Sequence, residues 1–114
     1  MTSFEVGRKA EAVAANFLNH RGCEIVGQNW RTRWCEIDIV AIRDNVVYLC
    51  EVKYRSSTRQ GMGLDYITPK KLTQMRFAAE FWLAKYDWQG ECSLCAIEVS
   101  GPDFRITGVL KDLS

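Results

Sequence analysis

The stretch CEIDIVAIRDNVVYLCEVKYR, residues 35–55, decides how this chain folds. It reads as two apolar strands, at 37–42 and 46–52, with Asp44-Asn45 between them. Both turn residues tolerate the left-handed backbone that a two-residue hairpin loop requires. The stretch therefore predicts an antiparallel hairpin with a tight turn.

Three charged residues interrupt the apolar pattern of this hairpin. Counting back from a two-residue turn places Asp38 opposite Glu51, and side-chain alternation places Lys53 on the same face. Opposed carboxylates repel each other and destabilise a strand pair. A divalent cation would remove that repulsion, because hard cations bind carboxylate oxygens. The pattern therefore makes Asp38 and Glu51 candidate metal ligands, with Lys53 beside the ion.

The same residues also fit ordinary structural roles. Asp38 suits a solvated sheet face, and Lys53 falls opposite Glu36 in this register, where a cross-strand salt bridge is available. Acidic and basic residues are common on exposed strands. The hairpin alone therefore does not decide between a metal site and a solvated face.

The composition is that of a single soluble domain spanning residues 1–114. The chain is 47% hydrophobic and 25% charged, which is ordinary for a globular protein. No apolar run is long enough to span a bilayer, and the first residues, MTSFEVGRKAEA, lack the apolar core of a signal peptide. We therefore expect a cytoplasmic protein with no membrane partner.

The five cysteines are spread along segments that read as strands. This distribution favours reduced thiols that pack as small hydrophobic side chains. Cys92 and Cys95 have the spacing of half a zinc site. Since the chain has no second CxxC pair and one histidine, zinc is the weaker interpretation.

Positive charge is concentrated after the hairpin, although the net charge is only +1. Residues 53–76 contain six basic residues and one acidic residue, whereas the other 90 residues contain nine and thirteen. The six are Lys53, Arg55, Arg59, Lys70, Lys71 and Arg76. Such a block suits a polyanion that docks beside the proposed site, and a solvated loop and helix face is the alternative.

Two arginines alternate with tryptophans ahead of the hairpin, in the segment Trp30-Arg31-Thr32-Arg33-Trp34. Such interleaving suits phosphate contact and base stacking. Tryptophans that flank strands also commonly form the edge of a core. Under the first interpretation, Arg31 and Arg33 are candidate contacts to nucleic acid.

Two helices are predicted from caps and apolar periodicity. A capping box at Thr2 opens an amphipathic helix that ends at Arg21-Gly22. Glu11 lies at the border of its apolar stripe, where a carboxylate either reaches toward a sheet edge or is simply solvated. Thr68-Pro69 begins the second helix. Lys70-Lys71 then lie in a first turn whose free amides also favour an anion.

Three further strands are predicted, at 24–30, 91–100 and 104–110, together with a polar loop at 56–63. The element order is therefore α-β-β-β-α-β-β. The second helix makes the connection between the third and fourth strands long enough for parallel pairing. We expect an α/β fold in which helices flank a mixed sheet.

This order and these charged residues resemble the PD-(D/E)xK nuclease superfamily, whose restriction-endonuclease-like core is αβββαβ. An acid on the first helix is typical of its Holliday junction resolvase branch. More narrowly, the chain is similar to the YraN-like family of small bacterial proteins over about residues 4–86. The matching stretches are Glu11-Ala-Val-Ala14, Asn29-Trp30-Arg31, Glu36-Ile-Asp-Ile-Val-Ala41, Glu51-Val-Lys-Tyr-Arg55, Gly61 and ITPKK at 67–71.

Two positions depart from that family, which usually has glycine where this chain has Ala10 and Cys35. Each substitution adds a side chain near the proposed site and could narrow it. Neither removes a carboxylate or the lysine.

The resemblance implies metal-dependent hydrolysis of phosphodiester bonds in DNA. Asp38, Glu51 and the Val52 backbone carbonyl would bind Mg²⁺ or Mn²⁺, and Glu11 would join directly or through water. Lys53 would orient the attacking water and stabilise charge on the phosphate. The residues expected to contact nucleic acid are Arg31, Arg33, Arg55, Arg59, Lys70 and Lys71.

The expected function is that of an endonuclease acting on branched or structured DNA, similar to Holliday junction resolvases. The alternative is a DNA-binding or DNA-processing accessory protein whose nuclease activity is weak or depends on a protein partner. A protein-interaction subunit is a third class. Paired cuts on a junction need two symmetry-related sites, so a homodimer is a further hypothesis.

Overall fold

The computed structural model describes residues 1–57 and 67–113, which form two helices and five strands. In chain order these are α1 (Ser3–His20), β1 (Glu24–Arg31), β2 (Glu36–Arg43), β3 (Val46–Arg55), α2 (Pro69–Lys85), β4 (Glu91–Ser100) and β5 (Arg105–Leu110). The predicted element order and α/β fold are confirmed. Most of the loop expected at 56–63, with Arg59 and Gly61, lies outside the described residues.

Both helices begin at the side-chain caps that the sequence predicted. Thr2 Oγ1 accepts the Glu5 N–H and Glu5 Oε1 accepts the Thr2 N–H, each at 3.1 Å, which is a reciprocal capping box. Thr68 Oγ1 accepts the Lys71 N–H at 3.1 Å, and Pro69 occupies the first helical position. In the part of the chain that the structure describes, neither helix could cross a bilayer.

The hairpin has the two-residue turn that its sequence predicted. Asp44 and Asn45 adopt positive φ angles of 50° and 64°. Arg43 pairs with Val46, as expected for a loop of this length. The turn residues therefore set the register of the two strands.

The described strands form one mixed sheet in the order β1-β2-β3-β4-β5. β3 and β4 are parallel, as the helical connection predicted, and the other neighbours are antiparallel. Helix α1 covers one face of the sheet and helix α2 covers the other. We call them the α1 face, with Ile39 and Cys50 in its core, and the α2 face, with Val40 and Leu49 in its core.

Gly90 is required where the chain enters β4. A Cβ built on Gly90 would collide with the Asn45 backbone oxygen and lie 2.7 Å from Asn45 Oδ1 and 2.8 Å from the Trp88 ring. We expect Gly90→Ala to lower the free energy of unfolding by about 2 kcal/mol, measured by urea denaturation. Gly7→Ala is the matched control, because nothing lies within 4 Å of its Cβ position. It should raise stability by about 0.5–1 kcal/mol, and an equal loss in both variants would contradict the steric explanation.

Candidate functional site

Asp38 lies where β2 stops pairing regularly with β3. The regular pairs between the two strands end at Ile39 and Cys50. One position beyond, Asp38 Oδ2 accepts a hydrogen bond from the Val52 N–H at 2.8 Å. A side chain has therefore taken the place of a backbone partner. This bond holds the Asp38 carboxyl group against the peptide that joins Glu51 to Val52.

Side-chain alternation breaks at Asp38. Ile37 packs on the α2 face and Ile39 on the α1 face, although residues two apart in a regular strand share a face. Asn29, the residue of β1 that faces this position, has a positive φ of 52°. The strict alternation inferred from the sequence, which placed Asp38 on the face of Glu51, does not hold at this residue.

Glu11 of helix α1 lines the same groove as Asp38. Both residues line a groove of about 220 Å³, together with Arg8, Asn29 and Glu36 among others. Glu11 is 16% exposed, and its Oε1 lies 3.3 Å from Arg8 Nη1. The structure therefore brings the helix carboxylate and the β2 carboxylate to one groove.

The two positions that depart from glycine do not intrude on this groove. Ala10 is buried in the core of the α1 face. Cys35 packs on the α2 face, with its Sγ 3.4 Å from Thr32 Oγ1. Neither side chain belongs to the described lining of the groove.

Glu51 lies on the α2 face, where Lys71 binds it. Val47 and Leu49 of β3 pack on that face, and alternation continues it to Glu51. Lys71 Nζ, in the first turn of α2, lies 2.8 Å from Glu51 Oε1. Lys71, which was expected to contact nucleic acid, is therefore a counter-ion of Glu51 in this structure.

Lys53 is exposed and follows Glu51 by two residues on the same strand. It pairs in register with Glu98 of the parallel strand β4. Glu36, which the sequence offered as a salt-bridge partner for Lys53, pairs in register with Arg31. The Glu36 Oε2 and Arg31 Nη2 atoms are 3.3 Å apart.

The Asp38 carboxyl group has an unfavourable electrostatic environment. Burial raises its pKa from 3.8 to about 7, and the charge of Glu51 makes the next largest contribution. Glu11 and Glu36 raise this pKa further, while the hydrogen bond from Val52 lowers it. Acids from a helix and two strands therefore act on one buried carboxyl group, and a bound cation would offset their repulsion.

The donors around Asp38 suit a hard divalent cation. Within residues 1–57 and 67–113, no three His, Cys, Asp or Glu side chains converge as a ready-made metal cage. Mg²⁺ does not need one, because it is commonly held by one or two carboxylates and retains several waters. Asp38 and Glu51 supply carboxylate oxygens of this kind, with Lys71 holding one Glu51 oxygen. The donor set fits Mg²⁺ or Mn²⁺.

The remaining residues expected to contact nucleic acid lie on different elements. Arg33 lies over the Trp34 ring, 5.4 Å from its centroid, in the connection between β1 and β2. Lys70 is exposed in the first turn of α2. Arg59 lies outside the described residues.

Glu98 is the acidic residue that the sequence analysis missed. It is 3% exposed, it pairs in register with Lys53, and Thr107 Oγ1 donates a hydrogen bond to its Oε1. Among the described residues, its Oε2 has no hydrogen-bond partner, and Arg55 Nη1 lies 4.0 Å away. Its signal was an acid inside an apolar strand, the same anomaly that identified Asp38.

The Cys92 and Cys95 pair does not form half of a zinc site. The two residues are three positions apart on β4, so alternation sends their side chains to opposite faces. Cys95 is buried and Cys92 is exposed. The zinc interpretation therefore fails on geometry.

Comparison with known proteins extends over most of the chain. Residues 10–101 match the uncharacterised protein family UPF0102. A UPF0102 protein of Leifsonia xyli subsp. xyli is 42% identical over 82 residues, which are 72% of this chain and 70% of the relative. A UPF0102 protein of Cytophaga hutchinsonii is 30% identical over 106 residues, covering 93% of this chain and 94% of the relative. The matched range includes Glu11, Glu36, Asp38, Glu51 and Glu98.

Proposed function

This chain belongs to UPF0102, the YraN-like family, and from that premise we propose that it is a metal-dependent endonuclease acting on DNA. The bond hydrolysed is the phosphodiester bond, and the substrate is branched or otherwise structured DNA. Family membership supports the resemblance to PD-(D/E)xK nucleases. The activity itself is argued from the site residues, because a fold alone does not define a function.

The environment of Asp38 is the observation that carries this proposal. Its carboxyl group is largely buried, accepts the Val52 N–H and is raised in pKa to about 7 by burial and by neighbouring acids. Such an arrangement lowers the stability of the metal-free protein. A perturbed carboxyl group that lines a groove together with a second carboxylate is typical of a catalytic site.

Four groups of the chain supply the proposed metal site. Asp38 and Glu51 provide carboxylate oxygens and the Val52 carbonyl provides a third donor. Glu11 approaches from α1 and takes part directly or through water. Mg²⁺ or Mn²⁺, when bound there, would polarise a phosphoryl oxygen and lower the pKa of a coordinated water.

Lys53 supplies the positive charge of the proposed reaction. Its ammonium group orients the attacking water and stabilises the negative charge that develops on the phosphate. Lys71, whose Nζ lies 2.8 Å from Glu51 Oε1, is a second cation at the proposed site. Arg55 and Lys70, which lie close to Lys53 and Lys71 in sequence, are the proposed contacts to the DNA backbone.

A second candidate function is supported by two ion pairs. Lys71 neutralises Glu51, and Arg8 neutralises Glu11, so two of the three proposed metal-binding carboxylates already have counter-ions. A site in this state suits a DNA-binding accessory protein whose cleavage is weak or requires a protein partner. The two candidates differ in catalysis rather than in DNA binding.

Cleavage of a labelled four-way junction separates these candidates. In Mg²⁺ or Mn²⁺ we expect the protein to nick the junction in preference to a linear duplex of the same sequence, and we expect EDTA to abolish nicking. Junction binding without nicking would favour the accessory function. If the protein neither binds nor nicks the junction, both candidates are refuted.

The homodimer hypothesis needs its own measurement. Paired cuts at a junction require two active sites related by symmetry. Light scattering of the protein alone and with the junction should reveal two copies in at least one state. A monomer in both states would contradict a symmetric pair of cuts.

A further inference from the structure

Exposed aromatic side chains are concentrated on one surface of this protein. Among the described residues, four aromatic side chains are at least 48% exposed, and three of these are Trp34, Phe77 and Tyr86. Phe81 connects them, with its ring centroid 5.9 Å from Trp34 and 6.4 Å from Phe77. Trp30 completes the group, 6.1 Å from Phe81 and 6.5 Å from Tyr86. We call these five residues the aromatic patch.

Hydrogen bonds hold the aromatic patch in place although its rings are exposed. Thr32 Oγ1 accepts the N–H groups of Trp34 and Cys35, at 3.1 and 3.2 Å, and so orders the connection that carries the Trp34 ring. The Trp30 indole N–H donates to the Tyr86 hydroxyl at 3.1 Å, linking β1 to the end of α2. The patch is therefore preformed, and a ligand would bind it at little cost in conformational entropy.

The aromatic patch is adjacent to the proposed active site. Trp34 precedes Asp38 by four residues, so at most about 14 Å of extended chain separates them. On α2, the 3.6-residue repeat places Phe77 and Phe81 on the same side of the helix as Lys70. A ligand bound at the patch therefore reaches the first turn of α2, where Lys71 contacts Glu51.

Positive charge accompanies these rings. Arg33 lies over the Trp34 ring and Lys85 lies 5.8 Å from the centroid of the Tyr86 ring. Lys70 is exposed further along the same side of α2. The same segments also carry acids: Arg31 neutralises Glu36 at 3.3 Å, Glu80 lies between the two phenylalanines in sequence, and the exposed Asp87 directly follows Tyr86. The patch thus combines flat apolar rings with an excess of cations.

We infer that the aromatic patch binds single-stranded DNA. Unpaired bases stack on Trp34 and Phe77, while phosphates contact Arg33 and Lys70. A duplex keeps its bases stacked on each other, so it cannot offer them to these rings. The inference deepens the proposed function and rests on it for the choice of DNA. The feature recognised in structured DNA is its unpaired strand.

The combination of aromatic rings with cations favours single-stranded DNA over a protein as the ligand of the patch. Stacking on aromatic rings accepts any base, and phosphate contacts need cations at short intervals. In the aromatic patch, exposed rings and cations lie side by side. An interface between two copies of the chain would instead bring the cations of the two patches together, Arg33 and Lys85 among them. Repulsion between these like charges would weaken such a dimer.

Fluorescence anisotropy with a fluorescein-labelled dT12 oligonucleotide tests this inference. The measurement is made in EDTA, so that binding is observed without cleavage. We expect Trp34→Ala and Phe77→Ala each to raise the Kd for dT12 about tenfold, and Trp34→Phe to restore most of the affinity, because stacking needs a ring. Leu110→Ala is the matched control, since Leu110 is a 40% exposed apolar residue on β5, and its Kd should equal that of the wild type.

Three results would overturn the inference. The first is wild-type affinity for dT12 in both alanine variants. The second is equally tight binding of dT12 and of a duplex of matched length. The third is a dimer that the variants convert to a monomer with unchanged dT12 affinity, which would identify the patch as an interface between copies.

The outcome is independent of the cleavage assay. Patch-dependent binding of dT12 without any nicking of the junction would refute only the endonuclease. Nicking with dT12 binding unaffected by Trp34→Ala and Phe77→Ala would refute only the role of the patch.

Discussion

Asp38→Asn is expected to lower metal-dependent cleavage of junction DNA by about 10³-fold or more. Asparagine has the same shape and retains an oxygen that can accept the Val52 N–H, but it cannot contribute a negative charge to a metal ion. A loss of about 4 kcal/mol of transition-state stabilisation corresponds to this factor. Single-turnover cleavage of a labelled junction in Mn²⁺ measures it.

The same substitution should stabilise the metal-free protein. The pKa of Asp38 is raised from 3.8 to about 7 in the folded protein, mainly by burial and by Glu51. As the pH rises from about 4 to 7, the unfolded chain releases this proton before the folded protein does, so wild-type stability falls across this window. At pH 8, Asp38→Asn should therefore be more stable by up to about 4 kcal/mol, and the difference should vanish near pH 4.

Urea denaturation in EDTA at the two pH values checks this expectation, because acids that do not interact with Asp38 titrate equally in both proteins. Mn²⁺ should then raise the Tm of the wild type and leave that of Asp38→Asn unchanged. Equal stability at pH 8 would show that Asp38 is not under electrostatic strain. Equal Tm shifts with Mn²⁺ would place the metal elsewhere.

Lys53→Ala is expected to lower turnover of junction DNA by about 10²-fold or more. Its ammonium group is assigned to charge that develops in the transition state, so kcat should fall while KM changes little. Junction cleavage at saturating and limiting substrate separates the two parameters. The variant should still fold, because Lys53 is exposed and belongs to neither hydrophobic core.

Lys111→Ala is the matched control for Lys53. Lys111 is exposed, carries the same charge and directly follows β5, which is separated from β3 by β4. It should leave kcat unchanged. A Lys53→Ala variant that loses affinity but not turnover would identify Lys53 as a DNA contact, and wild-type cleavage would contradict its assignment altogether.

The hairpin shows how much of the fold was predictable. The positive φ angles of Asp44 and Asn45 and the pairing of Arg43 with Val46 follow from the turn residues themselves. The same is true of the helix caps. The hydroxyl groups of Thr2 and Thr68 each accept the backbone N–H of the residue three positions further along the chain. These features were predictable because each depends on residues that are close along the chain.

The candidate site was predictable in its residues and less so in its geometry. Counting from the turn led to Asp38 beside the Glu51–Val52 peptide. It also assumed a regular pleat, and the pleat breaks at Asp38, where Asn29 of β1 adopts a positive φ. Glu98 escaped notice because its proximity to Lys53 depends on the register of a parallel strand pair joined through a long connection.

By itself, the sequence determined the order of the elements, the hairpin register and the identity of the acids and lysine, because local turns, caps and alternation encode them. Only the tertiary structure decided which groups meet. It placed Lys71 on Glu51, Glu11 in the groove of Asp38 and the rings of α2 beside Trp34. These contacts join residues far apart in the chain, and they depend on how the helices pack on the two faces of the sheet.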